Sequence, residues 1–354
     1  MVQFHKLKVS NVRKETADCV SIAFEVPDSL KSEYVFIQGQ YLTLKLFVKG
    51  EEIRRSYSIC SSPFENELRI AIKRVKEGKG SRYINDVLNP GDVLEVMTPM
   101  GNFHSPLKSS HKKNYVFFAG GSGITPVFSI IKSVLQAEPD SSMILFFGNF
   151  SEENTIFKKK LDELAQSNSS RLKLHYVFEK PASPIDELYK GIISKEKTEA
   201  LFEKHISSAA DNEFFICGPK PMMDNVRETL EKKNTGSARI HVEYFTSAVD
   251  APEKTISPSQ KVNAMVTVVQ YGIETKFELS SDGKPILDAA IEAGVDAPFA
   301  CKGAVCATCR GKVLEGKVHM NKNFALTDAE VAEGFILTCQ SHPLSLTVKV
   351  DYDV

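Results

Sequence analysis

Four of the seven cysteines form a pattern that strongly restricts how the C-terminal part of this chain can fold. Cys301, Cys306 and Cys309 have the spacing C-x4-C-x2-C, and Cys339 follows after a long gap. The other cysteines are scattered through the chain: Cys19, Cys60 and Cys217. An odd number of cysteines in a long chain argues against a disulfide framework. We therefore interpret the four clustered thiols as ligands of one metal centre.

The spacing of these ligands indicates which centre they hold. C-x4-C-x2-C with a distant fourth cysteine is typical of plant-type [2Fe–2S] sites. The intervening residues in ACKGAVCATC are small, so the loop can wrap tightly and direct its N–H groups at the sulfur atoms. Zinc is the alternative, but zinc sites favour two short pairs, and His319 and His342 stand at no ligand spacing.

Length and composition favour an ordinary globular protein of two or three domains. The 354 residues are 42% hydrophobic and 25% charged, with a net charge of −1, so no overall field favours nucleic acid. The N-terminus lacks the pattern of a signal peptide. The most apolar stretch, residues 115–135, is interrupted by Gly, Pro and Lys. We expect a cytoplasmic protein with no nucleic acid or membrane partner.

The order of short apolar segments predicts three folding patterns. Short β-rich runs punctuated by Gly and Pro fill the first third and predict a small antiparallel barrel, with one helix near Ser81–Leu88. From Lys112 strands alternate with helices, including a helix at Asn154–Gln166, which predicts a parallel sheet. Residues 247–260 read as a linker. A hairpin at 264–279 and a helix at Pro285–Ala293 follow.

A Gly-rich turn opens the predicted parallel sheet. Gly120-Gly-Ser-Gly-Ile-Thr-Pro126 follows the strand Tyr115–Ala119 and begins a helix. Such a turn can bring N–H groups and the positive end of the helix against a pyrophosphate, although an ordinary tight turn is an equal alternative. Cys217-Gly218-Pro219 ends a second apolar strand on the same expected edge. Together the two strand ends favour a nucleotide-binding crevice.

The segment Arg55-Ser56-Tyr57-Ser58 lies on a predicted barrel strand. Its side chains could pair with a phosphate, stack on a ring and hydrogen-bond to a ring nitrogen. Polar strand residues that face solvent are the alternative, and the segment alone does not decide between them.

Taken together, these motifs resemble the ferredoxin–NADP reductase superfamily of flavoproteins. The resemblance covers essentially the whole chain and is carried by RRSYSICSSP, AIKRV, GGSGITP, ICGPKPMMD and CKGAVCATC. It is greatest for oxygenase reductases with a C-terminal plant-type ferredoxin domain, above all those of phenylacetyl-CoA epoxygenase. It implies an FAD-binding antiparallel β-barrel at 1–108, a NAD(P)-binding α/β domain at 109–247, a linker at 248–262 and an α+β β-grasp [2Fe–2S] domain at 263–354.

The resemblance also assigns roles to individual residues. Arg55 would pair with the flavin pyrophosphate, Tyr57 would stack on the isoalloxazine and Ser58 would hydrogen-bond near N5. The flavin would also be lined by the Lys73–Val75 backbone and held by the helix start at Gly80 and Ser81. The nicotinamide nucleotide would be held by these residues: Gly121, Ser122, Gly123, Ile124, Thr125, Pro126, Cys217, Gly218 and Pro219. Glu243 and Phe245 match a motif that closes the nicotinamide domain near the flavin.

One position departs from the pattern of the family. Relatives commonly have Arg where Phe150 stands, and that Arg would pair with the 2′-phosphate of NADP. Ser151 and Lys158–Lys160 are possible substitutes. We expect NADPH as the reductant, with NADH as an alternative. FMN in place of FAD also stays open, because no residue clearly recognises the AMP half.

A nicotinamide delivers two electrons as hydride and an iron–sulfur cluster accepts one, so the flavin must act between them. The resemblance implies a cytoplasmic reductase that feeds an oxygenase component, with phenylacetyl-CoA epoxygenase as the expected acceptor. The alternatives are a reductase of a ring-hydroxylating or steroid oxygenase, or a general electron-carrier or redox-sensing module.

Overall fold

The computed structural model describes residues 3–206, 212–245 and 261–354. It divides the chain into two compact units, one made of His5–Ile53 and Tyr57–Glu243 and the other chiefly of the residues after Glu243. The linker predicted at 248–262 lies outside the described residues except for its last two. None of the helices in the described ranges is long and apolar enough to cross a membrane.

The first six strands form the predicted antiparallel barrel. They are β1 (Phe4–Thr16), β2 (Cys19–Glu25), β3 (Tyr41–Val48), β4 (Glu51–Ser58), β5 (Leu68–Lys73) and β6 (Val93–Met97), with α1 (Lys79–Asp86) between the last two. Their order is β4-β3-β6-β1-β2-β5, and a bridge between Ile59 and Ile70 joins the two ends. Alternate residues such as Leu7 and Val9 fill the interior, because successive side chains of a strand point to opposite faces.

A five-stranded parallel sheet follows, as predicted. Its elements are β7 (Asn114–Gly120), α2 (Ile124–Ala137), β8 (Ser142–Asn149), α3 (Lys158–Ser167), β9 (Leu172–Phe178), α4 (Lys195–His205), β10 (Asn212–Cys217), α5 (Lys220–Lys232) and β11 (Ile240–Glu243). The strand order is β11-β10-β7-β8-β9. The run Tyr115–Ala119 is buried throughout, as expected for a strand covered by helices on both faces.

Two details of this region differ from the prediction. The helix predicted to begin at Asn154 begins at Lys158, because Phe157 has a φ of 61° and stops helical geometry from extending further back. Helix α4 and strand β11 were not predicted. The helix has a weakly amphipathic, largely charged sequence, and the strand is only partly buried.

Buried serines join the barrel to the parallel sheet. In the middle of α2, the Ser129 hydroxyl donates to the Ser61 carbonyl over 2.6 Å, and Ser133 Oγ lies 2.9 Å from Ser62 Oγ. All four serines are buried. We call these contacts the serine seam. They help to make the barrel and the parallel sheet one compact unit.

The C-terminal unit has the mixed α+β architecture expected of a β-grasp domain. It contains β12 (Asn263–Gln270), β13 (Ile273–Ser280), α6 (Ile286–Glu292), β14 (Arg310–Glu315), β15 (Val318–Met320), α7 (Asp328–Ala332), β16 (Phe335–Leu337), β17 (Ser341–Pro343) and β18 (Thr347–Asp351). The main sheet has the order β13-β12-β18-β14-β16, and β15 pairs with β17. The predicted hairpin and the helix after it are confirmed.

Two histidine rings contact each other at an interplanar angle of 37° beside the edge strand β9. The rings of His175 on β9 and His205 on α4 have centroids 4.0 Å apart, and the Tyr189 hydroxyl lies 2.8 Å from His205 Nε2. Within the described ranges, His175 Nε2 is buried without a hydrogen-bond partner. Burial, helped by His205, Lys173 and the nearby Lys204, lowers the pKa of His175 to about 4.

This depressed pKa predicts a loss of stability in mild acid. Above about pH 6.5 His175 is neutral in both the folded and the unfolded protein, so its burial costs no stability there. As the pH falls towards 4, the unfolded protein binds a proton at His175 that the folded protein does not bind, and the folded state loses stability. Between pH 7.5 and 5.5 the wild-type protein should lose about 1 kcal/mol more unfolding free energy than His175→Phe. Urea denaturation at the two pH values measures the difference. Equal losses of unfolding free energy in the two proteins would show that His175 does not cause the loss of stability.

Candidate functional site

Strand β4 carries the polar segment predicted to contact a flavin. Arg55 is exposed, and its Nη1 donates to the Arg54 carbonyl over 2.7 Å. Tyr57 is half-buried and packs against the barrel core. Ser58 is buried, and in the described part of the chain its hydroxyl has no hydrogen-bond partner. A buried polar group without a partner calls for an explanation, and a ligand that bonds to it is one. The residues therefore fit a flavin.

Helix α1 begins without a side-chain cap. Gly78 precedes the helix, and no side chain caps its first turn. The Ser81 hydroxyl accepts from Val75 N over 3.1 Å and donates to the Gly78 carbonyl over 3.2 Å, which fixes the loop that enters the helix. Gly80 and Ser81 are buried. Uncapped N–H groups at a helix start attract a phosphate.

The two ends of the Lys73–Val75 segment differ in their surroundings. Lys73 ends β5 and pairs with Asp18 at 3.5 Å. Val75 is 60% exposed, although its backbone N–H is held by Ser81. Helix α1 packs against β3 and β5, and β3 is the neighbour of β4 in the sheet. The residues predicted to bind the flavin therefore belong to adjacent elements of the barrel.

The Gly-rich turn packs backbone against backbone on the end of β10. Gly121 has a φ of 51°, and residues 121–123 form one tight turn that enters α2 directly. A Cβ on Gly123 would lie 2.1 Å from the carbonyl oxygen of Cys217, and a Cβ on Gly218 would lie 2.9 Å from Gly120 N. Only glycine permits these contacts. They bring the two predicted nucleotide-binding strand ends together at one edge of the sheet.

Helix α2 presents an uncapped first turn at this edge. No side chain caps its N-terminus, and Ile124, Thr125 and Pro126 are buried. The Thr125 hydroxyl donates to the Ser122 carbonyl over 3.0 Å, which holds the turn in place. Of the residues in the Gly-rich turn, Gly121 and Ser122 remain partly exposed, and a helix start of this kind is suited to a pyrophosphate.

Cys217 and Glu243 occupy matching positions at the end of the sheet. They are paired in the parallel register between β10 and β11. Burial raises the pKa of Glu243 to about 8, and its Oε2 has no hydrogen-bond partner in the ranges described. Burial and the adjacent Glu243 also raise the pKa of Cys217 well above its usual value. Near neutral pH the site therefore contains an uncharged thiol beside a largely protonated carboxyl group.

Other residues predicted to contact the nucleotide lie near the ends of β8 and β11. The Ser151 hydroxyl donates to Asn154 Oδ1 over 2.8 Å. Lys158 pairs with Asp162 at 2.8 Å, and Lys160 pairs with the buried Glu15 at 3.0 Å. Phe245 follows β11 and is 40% exposed.

The four clustered cysteines lie in two pairs in the C-terminal unit. Cys301 lies beside Cys306, and Cys309 lies beside Cys339. Three are buried and Cys301 is partly exposed. In the described ranges, no three His, Cys, Asp or Glu side chains are arranged around a single metal ion. Two neighbouring pairs of thiols are the donor set that a two-iron core requires.

Backbone N–H groups point at the sulfur atoms of this loop. Gly303 N donates to Cys301 Sγ over 3.2 Å, and Cys301 N donates to Cys306 Sγ over 3.4 Å. The contact with Cys306, together with backbone N–H groups, lowers the pKa of Cys301 to about 6. Lys302 and Ala304 have positive φ angles of 49° and 66°, which turn the loop inward. Donors of this kind stabilise thiolates, so the residues fit the cluster.

The histidines considered as zinc ligands face each other instead. His319 on β15 and His342 on β17 are directly paired across the two strands. Asn321 lies 3.2 Å from His342 Nε2. These contacts give no support to the zinc alternative.

Three family models match successive parts of the chain. They are the oxidoreductase FAD-binding domain at residues 6–105, the oxidoreductase NAD-binding domain at 117–228 and the 2Fe-2S iron-sulfur cluster binding domain at 268–344.

Relatives of similar length match this chain from end to end. The chain is 40% identical to a subunit of 1,2-phenylacetyl-CoA epoxidase from Escherichia coli K12, over 100% of this chain and 99% of the relative. It is 32% identical to the ferredoxin reductase component of 3-ketosteroid-9-alpha-monooxygenase from Rhodococcus rhodochrous, over 98% and 96%. A phthalate dioxygenase reductase structure matches with a TM-score of 0.57 and 25% identity, over 98% of both chains.

The chain therefore belongs to the ferredoxin–NADP reductase superfamily, among the oxygenase reductases with a C-terminal [2Fe–2S] ferredoxin domain. Members of this group pass electrons from a nicotinamide nucleotide through a flavin and the cluster to an oxygenase component. The FAD-binding, NAD-binding and [2Fe–2S] domains of this chain confirm the prediction that its cofactors are FAD, a nicotinamide nucleotide and a [2Fe–2S] cluster.

The contact between Gly123 and Cys217 predicts a selective loss of nucleotide use. In Gly123→Ala the new methyl group must push the Gly-rich turn away from β10. Reduction by NADPH or NADH should slow at least about tenfold, the effect of losing roughly 1.4 kcal/mol, while flavin and cluster absorbance stay unchanged. Stopped-flow absorbance measures the rate.

Gly236→Ala is the control, because a Cβ there meets nothing within 4 Å and the glycine needs no positive φ. An unchanged rate of nucleotide reduction in Gly123→Ala would show that the turn does not form part of the nucleotide site.

Proposed function

We propose that this protein takes hydride from NADPH and delivers single electrons to an oxygenase that acts on phenylacetyl-CoA. The observation that carries the proposal is the 40% identity to the 1,2-phenylacetyl-CoA epoxidase subunit of Escherichia coli, which runs through all three domains. When bound, FAD accepts two electrons together and releases them one at a time. A cytoplasmic location stays a prediction from the sequence.

In this proposal the barrel residues hold the flavin. Arg55 and the start of α1 at Gly80 and Ser81 bind the pyrophosphate, and the Lys73–Val75 backbone lines the ring system. Tyr57 stacks on the isoalloxazine, and the unpartnered Ser58 hydroxyl hydrogen-bonds near N5. The burial of Ser58 and the uncapped first turn of α1 support these assignments. FAD rather than FMN is supported by the family of the barrel domain.

The parallel sheet binds the nicotinamide nucleotide. Residues Gly121–Pro126 hold the pyrophosphate, and Ser151 contacts the adenosine half. Cys217–Pro219 lies beside the nicotinamide ring, where an uncharged thiol does not oppose the transfer of hydride. Phe245 closes the site next to the flavin. Glu243, which is half or more protonated at neutral pH, is positioned to donate a hydrogen bond from the same edge.

Cys301, Cys306, Cys309 and Cys339 are proposed as the iron ligands. Their division into two pairs supports one pair of thiolates for each iron. The donors to the sulfur atoms from the Cys301–Gly303 backbone would help to set the reduction potential. The domain boundaries at residues 108, 247 and 262 belong to the same proposal.

A matched pair of cysteine variants tests the ligand assignment. Cys306→Ser should remove the visible absorbance of the cluster and keep bound flavin, because a hydroxyl is a poor iron ligand. Cys60→Ser is the control, since Cys60 is a buried barrel residue that bonds to the Arg69 carbonyl. Iron content and absorbance spectra measure the outcome. Full cluster content in Cys306→Ser would contradict the assignment.

Reconstitution tests the function itself. The purified protein is mixed with NADPH and, in turn, with the oxygenase components for phenylacetyl-CoA and for a 3-ketosteroid, and product is measured. We expect product only with the phenylacetyl-CoA oxygenase. Product with the steroid oxygenase alone would favour the second class of relatives. Fast reduction of flavin and cluster with no product from either would favour a general electron carrier.

A further inference from the structure

Two neighbouring strand ends form the part of the nucleotide crevice that faces the adenosine ribose. In dinucleotide-binding sheets, side chains after the second strand distinguish a 2′-hydroxyl from a 2′-phosphate. Here that strand is β8, which ends at Asn149 and is followed by Phe150, Ser151 and Glu152. The neighbouring strand β9 ends at Phe178, so Glu179 and Lys180 emerge beside them.

Backbone hydrogen bonds hold the segment after β9 against the segment after β8. Glu179 N donates to the Asn149 carbonyl over 3.0 Å, and Lys180 N donates to the Phe150 carbonyl over 2.8 Å. Ala182 N donates to the Glu152 carboxylate at 3.1–3.2 Å. The position of residue 180 relative to residue 150 is therefore fixed by the register of the two strands.

The Lys180 side chain lies over the ring at position 150. Its Nζ is 5.0 Å from the centroid of Phe150, a ring that is 48% exposed. Lys180 itself is exposed. The cation–π contact positions the ammonium group without removing it from solvent. Lys180 therefore places a positive charge close to where an Arg at position 150 would place one.

The lysines that the sequence favoured for this task are already occupied. Lys158 pairs with Asp162, and Lys160 pairs with Glu15. Lys159 is 91% exposed and faces Glu163 on its own helix. Within the ranges that the structure describes, Lys180 has no carboxylate within ion-pair distance. It is therefore the cation near the end of β8 that is available for a ligand.

We propose that Lys180 is the residue that recognises the 2′-phosphate of NADPH, with Phe150 as the surface that positions its ammonium group. The inference rests on the proposed use of NADPH. Glu152 and Glu179 lie on the two adjoining segments and add negative charge to them, and a flexible ammonium binds phosphate less rigidly than a guanidinium. Both features make the preference for NADPH moderate.

Lys180→Met tests the proposal because it keeps an unbranched side chain of similar length and removes the charge. We expect kcat/KM for NADPH to fall about tenfold, the usual effect of losing one charge-assisted contact of about 1.4 kcal/mol. The kcat/KM for NADH should change by less than about twofold, because NADH has no 2′-phosphate that could contact Lys180. Lys180→Arg should keep the NADPH value.

A probe without the nicotinamide separates binding from electron transfer. Inhibition by 2′,5′-ADP should weaken about tenfold in Lys180→Met, while inhibition by 5′-AMP should not change, because the two differ only in the 2′-phosphate. Raising the salt concentration should weaken inhibition by 2′,5′-ADP more in the wild-type protein than in Lys180→Met.

Lys204→Met is the matched control, because Lys204 also lies over an aromatic ring, 5.3 Å from the centroid of Tyr189. Equal losses for NADPH and NADH in Lys180→Met, or a selective loss in Lys158→Met instead, would overturn the proposal. A wild-type protein that prefers NADH would contradict the proposed function. A selective effect of Lys180→Met on 2′,5′-ADP would even then support the role of Lys180.

Discussion

The contact between the Gly123 backbone and the Cys217 carbonyl is the constraint on which the nucleotide site depends. A Cβ there would lie 2.1 Å from the carbonyl oxygen, so strands β7 and β10 can end side by side only with glycine at this position. This proximity places the uncapped start of α2 next to Cys217 and, through the strand register, next to Glu243. Backbone packing determines where the strands end, and these strand ends in turn position the side chains of Cys217 and Glu243.

Two carboxyl groups with buried oxygen atoms, Glu138 after α2 and Glu243 on β11, illustrate two different uses of a polar residue in this domain. Glu138 accepts from Tyr115, Ser141, His111 and the Lys108 backbone, and its pKa is lowered in spite of burial. Glu243 Oε2 has no partner in the described part of the chain, and burial raises its pKa to about 8. The first group stabilises the fold. The second is costly to bury, which is typical of a residue kept for its chemistry.

The sequence predicted the barrel, the parallel sheet and the meeting of two Gly-bearing strand ends at one edge of that sheet, because spacing and hydrophobic period determine these features locally. It misplaced the start of α3, where the left-handed geometry of Phe157 is set by the core in which that ring is buried. It also did not predict the contact between Lys180 and Phe150. The side chain meets Phe150 only through the pairing of β8 with β9, and pairing between strands leaves no local signal in either segment.

The serine seam gives helix α2 two simultaneous attachments. Its first turn continues the Gly-rich turn that is proposed to bind the nucleotide, and its middle is bonded to the loop that follows β4. Helix α2 is thus a rod about 21 Å long, given 1.5 Å per residue, that fixes the position of the Gly-rich turn relative to the barrel. For a hybrid reductase assembled from two relatives, α2 and residues 59–62 need to come from the same parent. The contact between the Ser62 and Ser133 hydroxyls joins a side chain from each segment, so a crossover between the segments would break it wherever either serine is replaced.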